Sequence, residues 1–169
     1  MSAGSRQQGF TLAGALILIA VAGAGMAAYG EMASHAAQRE KEQELIFAGN
    51  QFRQAIGAFY EGTPGAAKQF PRKLEDLLQD QRYPALRRHL RRIYADPMTG
   101  KREWGLVKAP EGGIMGVYSL SQAQPIKSGG FLLRDRELEG ARSRYADWQF
   151  TYTPAAASSG NPKPVSAAR

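Results

Sequence analysis

Between Arg6 and Glu31 the chain carries no charged residue. The centre of this interval, GFTLAGALILIAVAGAGMAAY at residues 9–29, consists almost entirely of apolar and small residues. At about 1.5 Å rise per residue, a helix of that length spans roughly 30 Å, the thickness of a bilayer core. The expectation is a transmembrane helix over 10–30, close to the N-terminus. With that segment set aside, the rest of the 169 residues has room for one small domain.

Composition narrows what that domain can be. Lys and Arg number 22 against 15 Asp and Glu, a net charge of +7. Such a balance favours acidic surfaces, whether phospholipid heads, nucleic acid or an acidic protein, without choosing among them. There is no Cys, so stability rests on a packed core or on assembly with neighbours. The two histidines, His35 and His89, are far apart in sequence with no thiol nearby, which argues against a zinc site. No metal or other cofactor is expected. G-x-S-x-G, H-E-x-x-H and a Cys nucleophile are all missing, and 62–68 lacks the Gly-Lys-Ser/Thr end of a phosphate loop. The chain therefore reads as a non-enzyme.

The apolar helix is expected to continue past the membrane. After Glu31 there is no proline until Pro64, and Ala, Glu, Gln, Lys and Arg dominate, all good helix formers. Leu45, Phe52, Ile56 and Phe59 recur at spacings of seven, four and three, which places them on one helical face. The reading is one helix from about residue 12 to about residue 60, roughly 75 Å long. Gly62, Pro64 and Gly65 stop it. Short helices are then expected at 74–78 and at 84–93, the second starting at Pro84. In it Leu86, Leu90 and Ile93 would face inward, and Arg87, Arg88, His89, Arg91 and Arg92 outward. Asp96-Pro97 closed by Gly100 reads as a turn. Strands follow at 103–107, 114–120 and 147–152, the first two joined by a loop at 108–113. Residues 129–133 suggest a short edge or turn, and 138–145 a helical turn or two. From Pro154 onward Ala, Ser, Gly, Asn and Pro prevail, and a disordered tail is expected over 154–169. The fold class is α+β.

The N-terminal junction carries a family resemblance. A short polar leader, MSAGSRQQ, ends in Gly9, and Phe10, Thr11 and Leu12 open the apolar run. This resembles the class III signal of type IV pilins and type II secretion pseudopilins. The order of elements is similar too: a long N-terminal helix, then a connecting region, then a small C-terminal antiparallel sheet packed on it. The Asp96-Pro97 turn, the strand led by Trp104 and the Val117-Tyr118-Ser119-Leu120 strand resemble the major pseudopilin. The resemblance implies a leader over 1–9, cut between Gly9 and Phe10 by a prepilin peptidase, with methylation of the new Phe10 amine. It implies a single pass through a bacterial inner membrane, with residues 31–153 as a periplasmic domain. The implied partners are other pilin-like subunits, the inner-membrane assembly platform and membrane lipid. Charge bias alone would not orient the helix, because Arg6 lies on one side and Arg39 and Lys41 on the other. Orientation therefore rests on the leader.

Two departures from the family pattern qualify this reading. The family has Glu at the fifth mature position, where it pairs with a neighbouring subunit's first amine. Counting from Phe10, that position here is Gly14. The family's acidic calcium loop is matched by 121–128, which has no carboxylate and one Lys, so calcium is not carried over. The expected function is that of a minor pseudopilin, a structural subunit of a type II secretion pseudopilus. Alternatives are a minor type IV pilin of a pilus or DNA-uptake machine and a membrane-anchored periplasmic binding module that never assembles. A plain signal peptide cut near 22–28 is a further one. The basic cluster at 82–92 reads either as a solvated face or as a contact surface for an acidic partner. Tyr83 and Tyr94 flank it as possible stacking groups for nucleic acid, a possible but not favoured partner.

Overall fold

The computed structural model describes residues 8–65, 67–127, 129–139 and 143–154, and within α1 it leaves undescribed the side chains at 8–11 and 23–33. The chain divides into two compact units, Met1–Glu40 and Lys41–Arg169. Helix α1 runs over Gln8–Glu61, with its residues up to Glu40 in the first unit and the rest in the second. In the first unit the described apolar side chains, Leu12, Leu16, Ile17, Leu18, Ile19 and Val21, are all exposed. Among the described residues no helix is long and apolar enough to cross a membrane. Part of the apolar run, 23–29, falls where side chains are not described.

The second unit is α+β, with a three-stranded antiparallel sheet in the order β1-β2-β3: β1 (Gly105–Lys108), β2 (Ile114–Tyr118) and β3 (Gln149–Thr151). Gly112 and Gly113, both at positive φ, turn the chain between β1 and β2. Within this unit Leu45, Phe52, Ile56 and Phe59 of α1 are buried, together with Ala48 and Ala55. Burial of this stripe follows the seven-four-three spacing, because residues so placed share one side of a 3.6-residue helix. Trp104, Val117, Trp148 and Phe150 join the same core, as do Phe70, Leu77, Leu90, Ile114, Leu138 and Tyr145.

Gly49 and Gly57 sit within α1 at a cost of about 1 kcal/mol each against Ala. The reason is close approach to β3 and the residue after it. A Cβ at Gly49 would run into the Phe150 ring, and one at Gly57 into the Tyr152 ring. These two glycines let the aromatic strand lie directly on the helix.

One of the local expectations is corrected. Residues 84–93 form no helix. The backbone N–H groups of His89 and Leu90 both donate to the Leu77 carbonyl, and Asp80 N–H donates to the Arg87 carbonyl. The segment thus spends its hydrogen bonds on the neighbouring 3₁₀ turn Leu74–Leu77 rather than on itself. Of the edge or turn expected at 129–133, no strand forms, and the segment leads into a 3₁₀ helix over Leu133–Leu138. A second one, Tyr145–Asp147, stands at the end of the expected 138–145 turn, of which 140–142 lie outside the described residues. The expected tail, apart from Pro154, lies outside them as well.

Candidate functional site

The leader junction falls at the start of α1. The backbone is helical from Gln8, and the side chains of Gly9 and Phe10 are not among those described, nor is any of residues 1–7. Gly14 is described and exposed, and nothing lies within 4 Å of where a Cβ would stand. A carboxylate-bearing side chain therefore fits at this position without steric cost.

The basic cluster divides into two functional halves. Arg82 turns inward. Its Nε donates to Asp80 Oδ1 at 2.7 Å, one terminal nitrogen donates to Asp80 Oδ2 at 2.6 Å, and the other to Thr63 Oγ1 at 2.7 Å. The guanidinium also donates to the Phe59 carbonyl at 2.9 Å and lies 3.5 Å over the Phe59 ring centre. Phe59 is in the last turn of α1, whose terminal carbonyls have no partner within the helix, so Arg82 caps that end with a positive charge. His89, expected on the outward face, instead turns in: its side chain is nearly buried, with Nε2 3.0 Å from Asp80 Oδ2. The Asp80 carboxylate is fully buried. Its hydrogen bond from the Arg82 side chain, opposed by burial and assisted by His89, holds it well below the usual carboxylate range.

Arg87, Arg88, Arg91 and Arg92 are all exposed, as an outward face requires, although no helix presents them. Of the three apolar positions expected to face inward, Leu90 is buried and Ile93 half-buried, while Leu86 is 62 % exposed. Neither flanking tyrosine offers a free ring. Arg87 lies 4.7 Å over Tyr83, whose hydroxyl donates to the Gly62 carbonyl. Arg92 lies 5.2 Å over Tyr94, which also packs edge-on against Phe47 and Phe52.

Two further buried acids tie distant segments together. Glu42 is held by partners more than eighty residues away. Its Oε1 accepts from Ile126 N–H at 2.6 Å, Lys127 N–H at 3.1 Å and the Tyr145 hydroxyl at 2.8 Å. A side chain from α1 therefore fastens the 121–127 loop, which carries no carboxylate of its own. Glu42→Ala should cost about 2–3 kcal/mol, since one buried and two part-buried donors lose their acceptor, and Glu42→Gln about 1 kcal/mol, since an amide oxygen remains. Urea titration of both variants checks this; equal losses would mean the hydrogen bonds contribute nothing specific. The second acid is Asp96. It accepts from Met98 N–H at 2.9 Å, Thr99 Oγ1 at 3.1 Å and Ser119 Oγ at 2.7 Å. The Asp-Pro turn and the end of the Tyr-Ser-Leu strand, read separately in sequence, are thus tied together. Among the described residues no group of three or more His, Asp or Glu side chains converges as a metal site.

Comparison of the chain with protein-family models, curated proteins and solved structures finds no match to any of them.

Proposed function

We propose that the chain is a minor pseudopilin: a pilin-like subunit whose leader is cut after Gly9, whose apolar helix stays in the bilayer until assembly, and whose α+β domain stands in the periplasm. One observation carries the reading. A Gly-Phe-Thr-Leu junction opens a charge-free helical run whose described large apolar side chains are exposed throughout. Such a surface is stable only against lipid or against the helices of other subunits. The burial of Leu45, Phe52, Ile56 and Phe59 under a small antiparallel sheet supports the pilin-like arrangement of the second unit.

The minor role rests on Gly14. In the membrane an unpaired charge costs at least about 2.5–3.5 kcal/mol. A subunit without the family's Glu leaves a neighbour's N-terminal amine uncompensated, and the helix offers no other acid before Glu31. It is a poor repeating unit and suits a place with no such neighbour. Overexpressed in cells lacking other pilin-like subunits, the protein should give no sheared surface filaments by electron microscopy. Gly14→Glu should restore them, since the position is sterically open. Long filaments of the unaltered chain would overturn the minor assignment.

A further inference from the structure

In the second unit, one exposed face has the make-up of a recognition surface. Phe47 is 57 % exposed on α1, although Leu45, Ala48 and Phe52 around it are buried. A cleft opens on each side of it. One, of about 330 Å³, is lined by Glu44, Arg92, Tyr94, Pro97 and Arg102 as well as Phe47. The other, of about 400 Å³, shares Phe47 and adds Ile46, Asn50, Lys127, Leu132 and Arg134. Leu132 is 60 % exposed. Asn50, only 7 % exposed, stands on the wall of the second cleft.

The charges on the two clefts are unbalanced. Arg92, Arg102, Lys127 and Arg134 line them against Glu44 and Asp135. Asp135 is already held by Arg53 at 2.8 Å, with Arg134 at 3.7 Å. Among the described residues, neither Arg92 nor Arg102 has a carboxylate within ion-pairing distance. Arg87, Arg88 and Arg91 extend the positive field beside Arg92. An apolar centre with a cationic rim is the pattern of a protein interface. Nucleic acid fits less well, since the rings of Tyr83 and Tyr94 are occupied by Arg87 and Arg92.

We propose that this face, centred on Phe47, is the docking surface for an acidic amphipathic segment of another protein. An apolar side chain of that segment seats between Phe47 and Leu132, and its carboxylates meet Arg92 and Arg102. The assignment does not depend on the pseudopilin reading; a filament subunit and an anchored binding module present the same face.

The test uses the full chain in detergent and a fluorescent peptide of about a dozen residues with Trp and Leu spaced among Glu. A second peptide carries the same charge on Glu and Gly alone. Saturable anisotropy is expected for the first peptide at about 0.15 M salt. Phe47→Ala, Leu132→Ala and the pair Arg92→Glu with Arg102→Glu should each weaken it about tenfold or more. All four positions are exposed, so the thermal midpoint of each variant should stay put, which separates lost docking from lost folding. The Glu-Gly peptide should bind about tenfold more weakly. Equal binding of both peptides, or indifference to Phe47→Ala, overturns the proposal in favour of plain charge attraction. So does the absence of saturable binding. Phe47-dependent binding to a single-stranded oligonucleotide or to phosphatidylglycerol vesicles, tighter than to the peptide, would assign the face to that ligand instead.

Discussion

Replacing Phe52 by Ala should lower the unfolding free energy of the second unit by about 3–5 kcal/mol. Phe52 is fully buried, and its ring makes edge contacts with Trp104 at 5.1 Å and Tyr94 at 6.2 Å between centroids. Those partners come from the segment leading into β1, and Trp104 is itself fixed by donating from Nε1 to the Tyr94 carbonyl at 2.8 Å. Truncation leaves a void walled by groups that cannot collapse into it, which puts the cost at the high end for a core position. Urea denaturation of wild type and variant gives the difference. A loss under roughly 0.5 kcal/mol, the usual surface value, would mean that this face of α1 points away from the sheet.

Asp80→Ala should cost a similar amount, about 3–5 kcal/mol, because it strands Arg82 and His89 at a site built around the carboxylate. The loss extends beyond the pair. Arg82 bridges Asp80 to Thr63 and to the Phe59 carbonyl, so the end of α1 loses its cap with it. The same group makes stability depend on acid. A carboxylate whose value is lowered in the folded state contributes fully above its unfolded value, about 4. That contribution is lost as pH falls below it toward the lower folded value. Asp80→Asn should therefore flatten the acid limb of a stability–pH profile while lowering the neutral plateau. A plateau and an acid limb both unchanged would show that the Arg82 cap holds without the charge.

What was legible in sequence follows from how local each signal is. Leu45, Phe52, Ile56 and Phe59 disclose their common face because helical period acts within four residues. The strands disclose themselves through Trp104, Val117 and Phe150, apolar and β-favouring residues bounded by turn formers. The 84–93 segment has helical spacing and a Pro at its start, yet its amides are taken by Leu77, a partner the periodicity does not contain. Glu42 gives no sign of burial, since it sits among Arg39, Glu40, Lys41 and Glu44 and its partners are some eighty to a hundred residues away. Gly49 and Gly57 look like mere helix weaknesses until Phe150 and Tyr152 are seen against them. The inward turn of Arg82 is equally hidden in a run of arginines. The four exposed arginines were legible as a group, but the recess at Phe47 was not. Its walls come from 43–54, 92–102 and 127–135, which only the fold brings together.

The most direct test of the central reading is mass spectrometry of the N-terminal peptide of the membrane-extracted protein. The expected result is a chain that starts at Phe10 and carries one methyl group on its amine, with Gly9→Val accumulating as the longer precursor. Gly has no side chain to clash in a tight cleavage site, and Val does. A chain that still begins in the leader, or one cut near residues 22–28, would contradict the pseudopilin reading.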